Sequence, residues 1–275
     1  MKLILGSAQF GSVYGVGSTS PVELSEVFEI INLCRQYSIN EIDTAVMYGN
    51  AHGVLGRVGV TDFKIHTKIP YVDVHKAGWK LQVESHIERA LEDLRVATLE
   101  SVLLHDERNM FEEGAFDLLE YLREIQVKFS ISRVGASLYE APGSEPIWDD
   151  LDLIQMPGNI FDRRFQKLNF PREIYLRSAF LQGVLLMKAR PNFFNKWRNE
   201  FCAFDAYSRR FSSPLHAIAN FFNAVLPDAK VVFGVLDQRQ FLEIINVLEF
   251  IDKTIDIPDI SVEDRDLIFP SNWAV

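Results

Sequence analysis

Short runs of apolar and β-branched residues recur along this chain and alternate with longer amphipathic stretches. These runs predict eight strands, at residues 2–5, 39–42, 63–67, 101–104, 129–134, 151–154, 173–176 and 230–233. Intervening stretches such as 23–37 and 83–94 carry apolar residues at helical spacing. Eight strand–helix alternations predict an α/β protein, a (β/α)8 TIM barrel that forms a single domain over residues 1–275.

A doubly wound parallel sheet is the main alternative to this barrel, because it shows the same alternation of strands and helices. Such a fold usually places a Gly-x-Gly-x-x-Gly motif at the turn after its first strand, where the motif binds a dinucleotide. Residues 6–11 read Gly-Ser-Ala-Gln-Phe-Gly, which does not match. The barrel is therefore the preferred fold.

Composition and charge narrow the classes of partner. The 275 residues include 28 Lys and Arg against 38 Asp and Glu, a net charge of -10, so neither nucleic acid nor a membrane surface is the expected partner. The first apolar run is too short for a signal peptide and no run is long enough to span a membrane, which predicts a cytoplasmic protein. Cys34 and Cys202 lack the spacing of a zinc or redox site, and both are expected to be buried free thiols.

Four residues that could deliver a proton lie at or just beyond three successive predicted strand ends. Asp43 follows the second predicted strand, Lys68 the third and His105 the fourth. Tyr48 lies on the loop that follows Asp43. Residues at the carboxyl ends of barrel strands face one mouth, where α/β barrels keep their catalytic side chains.

These four residues have complementary chemistry. A phenol has an ordinary pKa of about 10, and a neighbouring ammonium lowers it, so Lys68 is expected to lower the pKa of Tyr48 while Asp43 keeps Lys68 charged. His105 can orient a carbonyl or relay a proton. Each residue alone also has common structural roles, but their joint placement favours a proton-delivery site for carbonyl reduction. The other histidines show no ligand spacing, and no catalytic metal is predicted.

The segments that carry these residues resemble the aldo-keto reductase family over nearly the whole chain. The matching segments are residues 5–11 and 14–15, 42–45 and 48–49, 67–68, and 102–106. The resemblance implies a barrel that binds NADPH or NADH across its C-terminal mouth and passes hydride to an aldehyde or ketone. It also implies that Tyr48 is the general acid, tuned by Lys68 and Asp43. His105 would orient the carbonyl.

The resemblance further implies a set of residues that hold the cofactor. They are Gln9, Ser137, Gln155, Arg177, Ser178, Gly234, Arg239 and Gln240. Ser137 and Gln155 would contact the nicotinamide amide, although Leu138 replaces the Asn that usually follows the Ser. Arg177 stands where other members stack a Tyr on the nicotinamide, and a guanidinium plane can also stack.

The residues expected to bind the phosphate end of the cofactor depart from the family pattern. Members that select NADP often carry Lys, Ser and Arg where this chain has Gly234, Val235 and Gln240. An extra phosphate needs charged donors. The sequence therefore leaves NADH open beside NADPH.

The expected function is NAD(P)H-dependent reduction of a small-molecule aldehyde or ketone, for which a sugar-derived carbonyl is one option. One alternative is a low-activity nucleotide-sensing or scaffold barrel, because Leu138 and His52 depart from the family pattern. Another is a lyase that forms a Schiff base on Lys68, although Asp43 argues against it by keeping the lysine charged. The sequence leaves a monomer and a homo-oligomer equally open.

Overall fold

Eight parallel strands close into a barrel in which each strand pairs with its neighbours in sequence and the last pairs with the first. The computed structural model describes residues 2–140, 146–168, 170, 172–251 and 255–273. The strands are β1 (Lys2–Gly6), β2 (Glu41–Asp43), β3 (Lys64–Ile69), β4 (Leu99–Leu104), β5 (Ile131–Ser137), β6 (Leu153–Pro157), β7 (Glu173–Arg177) and β8 (Lys230–Phe233). The predicted α/β barrel is confirmed. The extent of the domain stays a prediction, and its two end residues, 1 and 275, lie outside the described residues.

Helices follow the strands along the chain, and the longer ones each bury an apolar stripe. They are α1 (Ala8–Gly11), α2 (Leu24–Gln36), α3 (Ala51–Val58), α4 (Trp79–Leu94), α5 (Arg108–Phe111), α6 (Ala115–Ile125), α7 (Arg198–Ser208), α8 (Pro214–Val225), α9 (Gln238–Leu248) and α10 (Arg265–Ile268). In α2, for example, Val27, Ile30, Ile31 and Cys34 are buried at helical spacing. Among the described residues, no helix combines the length and apolar character needed to cross a membrane.

Two strand limits differ from the prediction in a way that matters for the site. β2 begins at Glu41 rather than Ile39, because Ile39 still closes the end of α2 by donating its N–H to the Cys34 carbonyl at 2.9 Å. β3 continues to Ile69, so Lys68 lies inside the strand rather than after it. The expectation for Cys202 was also wrong: Cys34 is buried, but Cys202 is exposed on α7.

The interior of the barrel is apolar in its middle and polar at both ends. Ile4, Leu103, Leu153 and Tyr175 form a fully buried cluster that fills the middle. Residues two apart in a strand point to the same face, so β2 and β3 each place one polar side chain below this cluster and one above it. The apolar layer separates the two polar groups.

The polar group at the amino-terminal end is centred on Glu41. Its Oε2 accepts hydrogen bonds from His66 Nε2 at 3.0 Å and from Lys230 Nζ at 2.9 Å. Burial alone would raise the pKa of Glu41, but these two donors outweigh burial and lower the pKa to about 2. The carboxylate therefore stays ionised throughout the physiological range and ties β2, β3 and β8 together.

We expect Glu41→Gln to destabilise the protein at neutral pH by an amount that shrinks in acid. The pKa of Glu41 is lowered by folding from its usual 4.5 to about 2. Its stabilisation is therefore present above about pH 5 and is lost as the pH falls towards 2, and it is worth on the order of 2–3 kcal/mol. Urea unfolding at several pH values measures the difference. The exposed Glu88→Gln serves as control, and a Glu41→Gln deficit that did not change between pH 7 and pH 3 would contradict this assignment.

Candidate active site

The polar group at the carboxyl end of the barrel is built on one buried ion pair. Asp43 ends β2, and Lys68 is the last residue but one of β3. Lys68 Nζ lies 2.8 Å and 2.7 Å from the two carboxylate oxygens of Asp43. The two side chains are 0% and 3% exposed. A pair so deeply buried persists only when its remaining donors and acceptors are also satisfied.

The surrounding hydrogen bonds meet that condition. Lys68 Nζ also donates to the Thr44 carbonyl at 2.9 Å, so the three acceptors use the three hydrogens of an ammonium. Burial lowers the pKa of Lys68, and the Asp43 carboxylate opposes that shift. Gln155 Nε2, from β6, donates to Asp43 Oδ1 at 2.7 Å. The geometry therefore fits a charged Lys68 held by a charged Asp43.

Tyr48 reaches this pair from the loop after β2. Its hydroxyl oxygen lies 3.4 Å from Lys68 Nζ. Two glycines allow the loop to pack closely against α1. A Cβ on Gly11 would lie 1.9 Å from the Tyr48 carbonyl oxygen, and Gly49 has a φ of 57°, which favours glycine.

The pKa of Tyr48 moves in the opposite direction to the one expected from the sequence. Burial raises it above the ordinary phenol value, the Asp43 carboxylate raises it further, and the Arg177 guanidinium opposes both. The attraction between the Lys68 ammonium and a Tyr48 phenolate is opposed at contact distance by Asp43, so burial decides the direction of the pKa shift. Tyr48 is therefore a protonated phenol at neutral pH.

His105 faces Tyr48 from the end of β4. The two rings meet edge to face with their centroids 5.6 Å apart. Burial lowers the pKa of His105 to about 3, and the Lys68 and Arg177 cations act in the same direction. The imidazole is therefore neutral at pH 7, with one ring nitrogen able to donate a hydrogen bond and the other able to accept one.

His52 is not part of the ion pair but contacts the residue next to Lys68. Its Nε2 lies 3.0 Å from Thr67 Oγ1, next to Lys68 in β3, and both side chains are buried. Burial lowers the pKa of His52 to about 4, so this contact joins two neutral groups. It ties α3, which follows the Tyr48 loop, to the strand that carries Lys68.

A cavity of about 400 Å³ opens from Asp43 and Tyr48 towards the outside of the barrel. It passes the loops after β1, β7 and β8 and ends beside α9. Six of the eight residues predicted to hold a cofactor line it: Gln9, Arg177, Ser178, Gly234, Arg239 and Gln240. Gln9 and Gly234 are in close contact, since a Cβ on Gly234 would lie 2.3 Å from the side-chain nitrogen of Gln9.

The other two, Ser137 and Gln155, are buried side by side where β5 pairs with β6. Neither lines the cavity. Gln155 Oε1 is a buried acceptor without a hydrogen-bond partner in the described part of the chain, and so is the hydroxyl of Ser7, which belongs to the cavity wall. Buried polar atoms are nearly always paired in folded proteins. These two atoms therefore fit a ligand that brings its own donors, such as the amide of a nicotinamide.

Arg177 ends β7 and places a cation close to Tyr48 and His105. Its Nη2 donates to the Leu138 carbonyl at 3.2 Å, and its guanidinium carbon lies 4.2 Å from the centre of the Tyr139 ring. A guanidinium over an aromatic ring is a favourable cation–π arrangement. Leu138, which replaces the usual Asn, thus contributes its backbone oxygen to the orientation of Arg177.

The sequence reasoning missed two residues in this region. Tyr139 was not anticipated, because no sequence pattern indicates that it packs on Arg177, 38 positions further along. Glu243 lines the outer end of the cavity on α9. Its spacing of three residues from Gln240, on a helix whose start is marked by Asp237, was a signal that could have found it.

No group of three or more His, Cys, Asp or Glu side chains that could hold a metal ion is present among the residues described.

Comparison with known proteins adds a family to this geometry. The sequence profile of the Aldo/keto reductase family matches residues 2–170, which is more than half of the chain. The match contains the four predicted catalytic residues and Gln9, Ser137 and Gln155, while the other five predicted cofactor residues lie beyond it. No curated protein matches the chain significantly.

Solved structures show the same fold at low sequence identity. The holo form of aldo-keto reductase AKR11C1 from Bacillus halodurans is 16% identical, with a TM-score of 0.72 over 90% of this chain and 86% of its own. The glycerol dehydrogenase AKR11B4 from Gluconobacter oxydans is 17% identical, with a TM-score of 0.67 over 93% and 94%.

We expect Lys68→Met to cost more stability than removal of both charges. The single change leaves Asp43 buried with only Gln155 and no cation, which typically costs about 3–5 kcal/mol. The double variant Asp43→Asn with Lys68→Met leaves no unpaired charge and should lose less. Urea unfolding of the unmodified protein, Lys68→Met, Asp43→Asn and the double variant measures the coupling between the two residues.

The exposed Arg89–Asp93 pair on α4 provides the control, and Arg89→Met should change stability little. If Lys68→Met and Arg89→Met lost equal free energies of unfolding, the buried pair would not be the interaction that organises the site.

Proposed function

This chain belongs to the aldo/keto reductase family, and on that premise we propose that it is an NAD(P)H-dependent oxidoreductase that reduces a small-molecule aldehyde or ketone to an alcohol. The observation that carries the proposal is the contact between the Tyr48 hydroxyl and Lys68 Nζ, at the inner end of a cavity of about 400 Å³ that extends to α9. The cytoplasmic location stays a prediction of the sequence, which favours neither a monomer nor a homo-oligomer.

Reduction of a carbonyl needs a hydride at carbon and a proton at oxygen. A bound reduced nicotinamide supplies the hydride. Tyr48 supplies the proton: as hydride reaches the carbonyl carbon, the π-bond electrons move to oxygen, and the O–H bond of Tyr48 breaks towards that oxygen. An alkoxide is more basic than a phenolate, so a phenol with a raised pKa still gives up its proton to it.

Lys68 and Asp43 act on the phenolate that Tyr48 becomes. A phenolate 3.4 Å from the ammonium gains an attraction that the neutral phenol lacks. Asp43 keeps that ammonium charged in spite of burial. Because this stabilisation develops only as the proton leaves, it lowers the barrier rather than binding the ground state more tightly. The Tyr48 phenolate then regains its proton from solvent.

His105 fits the role of holding the carbonyl oxygen. The neutral imidazole faces the Tyr48 ring, and its N–H can donate to an oxygen placed between the two groups. A neutral donor positions the carbonyl without competing with Tyr48 for the proton transfer. His105 would thus orient the carbonyl, while Tyr48 would act as the acid.

Residues along the cavity provide a place for the cofactor. The unpaired Gln155 Oε1 would accept from the nicotinamide amide, and Arg177 offers a planar surface next to it. Ser178, Gly234 and Gln9 also line the cavity. We propose that the cofactor extends from Gln155 to α9 along this path.

A Schiff-base mechanism on Lys68 has less support. A nucleophilic amine needs a free lone pair, whereas Lys68 Nζ donates to both Asp43 oxygens and to the Thr44 carbonyl. These bonds require the protonated form. The reductase is therefore the function that the site supports best.

We expect the protein to oxidise reduced nicotinamide in the presence of some members of a broad aldehyde and ketone panel, and Tyr48→Phe to lower kcat by about 100- to 10,000-fold. The change removes only the hydroxyl group that donates the proton, so the variant should still bind the reduced cofactor, as followed by fluorescence. Tyr37→Phe, at the other end of the barrel, is the matched control and should keep full activity. Full turnover by Tyr48→Phe would refute the acid role, and binding without turnover of any carbonyl would favour a nucleotide-sensing protein.

A further inference from the structure

Arg177 differs from the other partly buried arginines of this protein in having no carboxylate beside it. Each of the others in the described part of the chain has an Asp or Glu oxygen no more than 3.8 Å from its guanidinium; they are Arg123, Arg133, Arg163, Arg164 and Arg190. Among the described residues, no such oxygen lies within 4.0 Å of Arg177. A partly buried cation without a counterion costs free energy, so this one fits an anion that arrives with a ligand.

The contacts that hold Arg177 in place carry no charge. Its Nη2 donates to the Leu138 carbonyl at 3.2 Å, and its guanidinium carbon lies 4.2 Å from the centre of the Tyr139 ring. Phe269 packs in turn on Tyr139, with the two ring centres 5.1 Å apart. A guanidinium has five N–H donors, so donors remain for a ligand. Because the cation is already oriented, it can bind an anion at a smaller entropic cost.

The inner end of the cavity has a surplus of positive charge. Arg177 and Asp43 both line it, and Asp43 is already bound to Lys68 at 2.7 Å. Asp106, a further carboxylate nearby, is bound to Arg108 at 2.6 Å. Among the described residues, these two pairs balance themselves and leave the guanidinium of Arg177. The surplus is local, because the chain as a whole has a net charge of -10.

Arg177 also lies close enough to the proposed proton donor to act on it. Its charge opposes the rise in the pKa of Tyr48 and helps to lower the pKa of His105. These are the two groups between which the carbonyl oxygen would bind. A ligand group held by Arg177 would therefore lie next to the reacting carbonyl.

We propose that Arg177 binds a carboxylate of the substrate, so that the protein reduces oxo acids, in which an aldehyde or ketone lies a few bonds from an acid group, in preference to neutral carbonyls. This rests on the proposed function, in which Tyr48 protonates that carbonyl. A planar guanidinium binds a carboxylate through paired N–H donors, and one cation matches its single charge, whereas a phosphate ester carries up to about two. Stacking uses the face of a guanidinium and hydrogen bonds use its edge, so Arg177 can contact a nicotinamide and the acid together.

The test compares oxo acids with their own methyl esters, which keep the carbonyl and lose the charge. A series of ω-oxo acids of increasing length, beginning with glyoxylate, varies the distance between the two groups. The value of kcat/KM is measured for each from the oxidation of NADPH and of NADH. We expect the best acid to exceed its ester by about 10- to 100-fold, the range for a hydrogen bond to a charged group.

Variants of Arg177 then assign this preference. Arg177→Gln should abolish it, and Arg177→Lys, which keeps the charge but not the planar donors, should retain part of it. The acid-to-ester ratio within one variant cancels any change in cofactor binding, because both substrates use the same cofactor. Arg198→Gln removes an exposed arginine of α7 that does not line the cavity. It is the matched control and should keep the ratio of the unmodified protein.

Equal kcat/KM values for acids and esters in the unmodified protein would overturn the proposal and leave the proposed function intact. A preference for acids that survived Arg177→Gln would overturn the assignment to Arg177. Glyceraldehyde 3-phosphate turned over better than every oxo acid, with that advantage lost in Arg177→Gln, would show that the cation serves a phosphate instead. If no acid, ester or neutral aldehyde led to oxidation of either reduced nicotinamide, the proposed function itself would fail.

Discussion

The candidate site depends on one constraint, namely that a lysine and an aspartate are buried together inside a barrel. Neither charge would be tolerated there alone. Pairing β2 with β3 brings Asp43 and Lys68 within contact distance. The Thr44 carbonyl accepts a further hydrogen bond from Lys68, and Gln155 donates one to Asp43. The Tyr48 hydroxyl lies at a longer distance, 3.4 Å, from the same ammonium. The buried pair thus supplies the charge that faces the phenol.

The same two strands repeat this arrangement at the other end of the barrel. Glu41 and His66 lie two residues before Asp43 and Lys68, on the same face, and form their own contact at 3.0 Å. The apolar cluster around Leu103 and Tyr175 keeps the two groups apart. One group holds the floor of the barrel together, while the other is open to a cavity. Because residues two apart in a strand share a face, β2 and β3 carry a stabilising polar group at one end of the barrel and the candidate catalytic residues at the other.

Much of this arrangement could be predicted from the sequence, because it depends on local patterns. Strand periodicity indicated the barrel, and the positions of Asp43, Lys68 and His105 at successive strand ends indicated that they meet. The Gln155–Asp43 hydrogen bond was beyond reach, because it joins residues 112 positions apart across the closed barrel. The direction of the Tyr48 pKa shift was wrong for a related reason: it depends on burial and on how fully Asp43 balances Lys68, which no linear spacing reveals.

The most direct test of carbonyl reduction at this site follows the transferred hydrogen. Reduced nicotinamide deuterated at its reactive carbon would be turned over with an accepted carbonyl, and the product alcohol analysed by mass spectrometry. With deuterium at both positions of that reactive carbon, the account predicts one deuterium on the former carbonyl carbon of every product molecule. Product that formed without deuterium, or a substrate trapped on Lys68 by borohydride, would contradict it.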